Sequence, residues 1–63
     1  MKLYIYDTES NKHLATVTGE SNEACEQKAE ATYGSNDCGW TYIPAFGASD
    51  GLVKNAEAEE IEA

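Results

Sequence analysis

Residues 21–34, SNEACEQKAEATYG, decide how the rest of the chain is read. Ser21 or Asn22 can cap a helix, and Glu20 and Glu23 stand where the helix dipole favours negative charge. Ala24, Cys25, Ala29, Thr32 and Tyr33 recur at helical spacing and form a narrow stripe of mostly small side chains, which lets a helix lie close to a sheet. Gly34 suits the position just past the last turn, and GSND at 34–37 reads as a loop.

Outward from this helix the pattern changes from helical to alternating. At 2–7, KLYIYD puts Leu3 and Ile5 on one side and Tyr4 and Tyr6 on the other, and at 13–18 Ala15 and Val17 share one face. The polar cluster DTESNK between them predicts a hairpin. After the helix, GWTYIPAF at 39–46 reads as a third strand, which Pro44 confines to an edge or ends. The turn cluster GASDG follows, and 52–54 is a candidate fourth strand paired with 42–46. The ending NAEAEEIEA, residues 55–63, is acidic and low in complexity and is expected to be disordered. The order is ββαβ(β). It predicts a two-layer α+β domain over 1–54, with a small antiparallel sheet and one helix packed on one face. Tyr4, Tyr6, Trp40 and Tyr42 would then sit on the sheet face that the helix leaves open.

A chain of 63 residues buries only roughly 60% of the surface its unfolded form exposes. Twelve Asp plus Glu against four Lys and no Arg give a net charge of −8. Direct nucleic-acid binding needs clustered Lys and Arg to release counterions, so the composition argues against it, and against an anionic membrane surface. A basic protein surface is the partner such a charge fits. The N-terminal apolar run is too short for a signal-peptide core and no run reaches transmembrane length, which predicts a cytoplasmic protein with Cys25 and Cys38 as free thiols.

None of the candidate chemistries assembles into a catalytic or metal motif. Asp7, Glu9 and Asn11 have the alternate-residue spacing that opens a calcium loop, but Lys12 stands in place of the required Gly and Thr18 in place of the bidentate Glu. A polar hairpin turn is the better reading. Cys25, Cys38 and His13 lack the close Cys pairs of structural zinc sites, and a Cys–His nucleophile has no third group to orient it. No cofactor and no metal ligand is assigned. Glu23, Glu26 and Glu30 lie one turn apart along one helix face, opposite the apolar stripe. A general acid/base pair needs carboxylates in different environments, and these three are all predicted to be solvated.

The sequence therefore points to a non-enzymatic binding protein that docks on a basic surface of a partner protein. Glu23, Glu26, Glu30, Trp40, Tyr42, Tyr4 and Tyr6 are its candidate contact residues. If that surface normally holds DNA or RNA, the glutamates would stand in for phosphates. This profile of size and acidity resembles that of small phage or mobile-element proteins that block host nucleases and CRISPR effectors, a resemblance of composition without a shared motif. The alternative is a structural or regulatory homodimer that associates through an aromatic sheet face.

Overall fold

The structure is a computed structural model that describes residues 1–34 and 37–63. It contains β1 (Lys2–Asp7), β2 (His13–Thr18), α1 (Asn22–Tyr33), β3 (Cys38–Thr41) and β4 (Glu59–Glu62). The strands form one sheet in the order β3-β1-β2-β4. The α+β architecture, with a hairpin and one helix packed on one sheet face, is the one the sequence predicts.

The hairpin pairs Leu3 with Val17 and Ile5 with Ala15, which sends all four side chains to one face. These residues, together with Cys25 and Ala29 of α1, are fully buried and make up the core. The fully buried side chains of the helix are thus only a thiol and a methyl group, with Tyr33 packed against the same core from its last turn. Of the predicted stripe, Tyr33 is half-buried, while Thr32 is exposed and donates its hydroxyl back to the Lys28 carbonyl at 2.9 Å. The hairpin turn closes through Asp7, whose carbonyl accepts from Asn11 N–H at 2.7 Å and whose carboxylate accepts from Glu9 N–H at 2.8 Å. Asn11 holds a φ of 59°, a conformation that asparagine tolerates better than most residues.

Ser21 caps α1, its Oγ accepting from Ala24 N–H at 3.1 Å. Replacing Ser21 with alanine leaves an orphan donor and should lower stability by about 1 kcal/mol, read as a shifted urea midpoint with an unchanged slope. At the other end Gly34 donates to the Glu30 carbonyl at 2.9 Å but stays right-handed, so the helix does not end on the left-handed glycine that the sequence suggested. Part of the loop expected at 34–37 lies outside the described residues.

The sheet, the third strand, residues 52–54 and the ending all differ from expectation. The sheet is mixed, because β4 runs parallel to β2 while β1 is antiparallel to both β2 and β3. The third strand ends at Thr41 instead of running to Phe46. The Thr41 hydroxyl accepts from Ile43 N–H at 3.3 Å, and the Asp50 carboxylate accepts from Ala45 N–H at 2.7 Å. Local acceptors thus draw the chain away from the ladder. Residues 52–54 do not pair with 42–46; Val53 instead makes an isolated parallel bridge with Lys12 beside the start of β2. The acidic ending is not disordered: Ile61 packs against the core, and Ala63 N–H donates to the Thr18 carbonyl at 2.8 Å.

Topology also settles the fate of the second sheet face. β3 and β4 lie at opposite edges, so the chain between them must cross the sheet, and it crosses on the side away from α1. Phe46 packs edge-on to Tyr4 at a ring separation of 6.1 Å and lies 5.5 Å from the His13 ring. Leu52 is buried at the same end of the sheet. The aromatic face expected to be open is therefore roofed by this crossover.

Candidate functional site

The acidic surface centres on α1, where Glu23, Glu26 and Glu30 are all exposed. Successive carboxylates advance by about 4.5 and 6 Å along the helix axis, from a rise of about 1.5 Å per residue. Lys28 is the one basic residue of the helix, so the acidic row has little internal neutralisation.

Tyr42 ties this row to the body of the protein. Its ring packs against the core, and its hydroxyl donates to the Glu26 carboxylate and also lies 3.3 Å from the Asn22 carbonyl. Donation to Glu26, then desolvation, then the negative charge beside it push the Tyr42 phenol up to about 12. A raised phenol contributes to stability below its unfolded value and loses that contribution as pH rises through the folded one. The contact therefore persists throughout the neutral range. It restrains Glu26 and so reduces the rotamer freedom that any further contact of this carboxylate would cost.

The opposite edge of the helix layer is acidic as well. Glu59, on β4, accepts from the Tyr33 hydroxyl at 3.3 Å. The Tyr33 phenol is raised by burial first and by the Glu59 charge next. Asp7, Glu9, Tyr33, Asp37 and Cys38 line an adjoining cleft of about 270 Å³, small beside the usual 300–1,000 Å³ of ligand sites. Burial, and then Asp7 and Asp37, push the Cys38 thiol up, which disfavours the nucleophilic thiolate. Cys25 and Cys38 are both free thiols. Among the described residues, no three His, Cys, Asp or Glu side chains converge as a metal site would require.

The seven candidate contact residues do not form one patch. Glu23, Glu26, Glu30 and Tyr42 gather on the helix side. Tyr4 and Tyr6 lie on the reverse face, with the Tyr4 ring against Phe46 and the Tyr6 ring over Gly39, where any Cβ would overlap it. Trp40 lies on the edge strand in register with Ile5 and is 37% exposed.

Sequence reasoning overlooked two groups. Glu59, Glu60 and Glu62 are held in place by β4; their signal was Ile61 as a single apolar residue between glutamates. Asp50 organises the crossover by accepting from Ala45, Leu52 and Gly47 N–H groups at 2.7, 3.1 and 3.4 Å; its signal was the Asp-Gly turn pair. These backbone donors hold the Asp50 carboxyl below its usual range. A depressed carboxyl supports the fold above its unfolded value, near 3.9, and that support is lost as pH falls through the folded one. The amide resonances of Ala45 and Leu52 should therefore move together on acidification below about pH 4, a transition that Asp50→Asn should abolish.

No helix among the described residues is long and apolar enough to cross a membrane. Comparison with protein families, with curated proteins and with solved structures finds no match to this chain.

Proposed function

We propose that this chain is a non-enzymatic, cytoplasmic binding protein whose acidic helix face docks on a basic surface of a partner protein, in the manner of a nucleic-acid mimic. The observation that carries this reading is the exposed row Glu23, Glu26 and Glu30, with its middle member restrained by Tyr42. Axial steps of about 4.5 and 6 Å are wider than the spacing of about 3.4 Å between charges along each strand of a duplex, a difference that the flexible Lys and Arg side chains of a phosphate-binding groove can absorb. The class of partner is a nucleic-acid-binding enzyme, such as a nuclease or CRISPR effector, and the biological setting is phage or mobile-element counter-defence of the anti-CRISPR type.

Phe46 and Leu52 occupy the face that the alternative, a homodimer through an aromatic sheet surface, would use. The test is a pull-down from the source cell with the purified chain as bait, washed at low and at high salt. Release of a specific nucleic-acid-binding protein by high salt supports the proposal. Capture of no such protein, or capture that salt does not weaken, counts against it.

A further inference from the structure

The two edges of the sheet differ in character. β4 carries Glu59, Glu60 and Glu62 on its four residues, a common device against pairing with another chain. β3 carries no charge, and residues 38–49 form the longest uncharged run in the sequence. Asp7 and Cys38 are opposed without bonding each other directly, because Thr8 N–H donates to the Asp37 carbonyl at 3.2 Å. The antiparallel alternation then makes Gly39 and Thr41 bond to β1, while Cys38 and Trp40 turn their N–H and C=O groups outward. Among the described residues, no element pairs with that edge. Trp40 borders it, and Ile43, just beyond the strand, is 88% exposed.

From this edge we infer that the chain self-associates through β3, which pairs antiparallel with β3 of a second copy about a two-fold axis at Gly39. The outward groups of residues 38 and 40 flank Gly39 symmetrically. Cys38 of each copy therefore opposes Trp40 of the other, and all four outward polar groups of each strand are paired. Symmetry selects a second copy as the occupant: the outward groups of residues 38 and 40 are complementary to themselves about Gly39, as an isologous two-fold contact requires. Asp7 and Asp37 stand beside Cys38, so a second molecule of charge −8 meets some repulsion here, but less than at the β4 edge with its three glutamates. The paired strands would join the two sheets into one, with each acidic helix on its own copy. This inference does not depend on the proposed partner, and the two respond to salt in opposite directions: screening strengthens a like-charged dimer and weakens an acidic-to-basic contact.

The test is sedimentation velocity of the purified chain over a range of concentrations at low and high salt, on the wild type, Trp40→Glu and Trp40→Pro. Trp40→Glu places like charges at the pairing edge. Trp40→Pro removes an N–H that already points away from β1, and circular dichroism reports whether each variant keeps its fold. The expected result is a dimer fraction that rises with concentration and with salt, and that falls at least tenfold in association constant in whichever variant stays folded. A cross-linking readout needs no variant. Cys38 and its copy would be diagonal neighbours about 7–8 Å apart, so a short bismaleimide should join them while an oxidant alone should not. A monomer under all conditions overturns the inference, as does a dimer that dissociates with added salt, one that persists unchanged in a folded edge variant, or one in which Cys38 fails to cross-link.

Discussion

Leu3→Ala should leave most of the chain unfolded at room temperature. Leu3 is fully buried at the centre of the sheet, opposite Val17 and beneath a helix whose fully buried side chains are the small Cys25 and Ala29. Truncating a buried leucine costs about 2–5 kcal/mol, since the transfer energy is lost and a cavity remains. A core in a chain this short supplies about 3–5 kcal/mol, so a single substitution can consume most of the total. The small helix residues leave little side-chain volume to move into the gap, which places the expected loss towards the upper end. Ile43→Ala removes an aliphatic side chain that is 88% exposed and should change stability by less than about 0.5 kcal/mol. Urea titration followed by circular dichroism separates the two. Wild-type behaviour of Leu3→Ala would mean that the core is not where the hairpin register places it.

The second large effect concerns binding. Glu23→Gln, Glu26→Gln and Glu30→Gln combined should abolish partner capture while leaving the fold intact. Like charges three and four residues apart destabilise a helix by a few tenths of a kcal/mol per pair, so their removal relieves repulsion. A glutamine at position 26 still presents an oxygen to the Tyr42 hydroxyl. Stability should therefore stay within about 0.5 kcal/mol of wild type. Losing one partner of a desolvated charge pair costs about 2–5 kcal/mol, so one such pair among the three already lowers affinity by about 30-fold. Full retention of binding by the folded triple variant would remove the helix face from the account.

The parts of this fold that were legible in the sequence are those governed by local rules. Alternation of Leu3 and Ile5 against Tyr4 and Tyr6, the polar turn, and the Ser21 cap place the hairpin and helix without reference to anything distant. The parts that were not legible depend on contacts across the chain. Glutamate is a poor strand former, so EEIE does not read as a strand; β4 forms because Ile61 reaches the core and β2 offers a free edge. GWTYIPAF is a good strand in isolation, but the Asp50 carboxylate draws its second half into a crossover that places Phe46 at a φ of 52°. A bulky residue adopts that left-handed conformation at a cost, here offset by packing against Tyr4 and His13. The exposure of the candidate glutamates followed from helical spacing alone. The restraint of Glu26 by Tyr42 did not, because it joins residues 16 positions apart. Tyr4 and Tyr6 lie on the face away from the helix, as alternation predicts, but the crossover that covers them through Phe46, and the turn of Tyr42 towards Glu26, depend on contacts that no local pattern records.

Helix carboxylates that stand in for phosphates would occupy a partner site built for nucleic acid. The most direct test is equilibrium binding of the captured partner to its own nucleic acid in the presence of increasing amounts of this chain, repeated at several salt concentrations. Mutually exclusive binding is expected, with this chain displacing the nucleic acid and both affinities falling as salt rises. A ternary complex of partner, nucleic acid and this chain, or an affinity for the chain that is indifferent to salt, would contradict it.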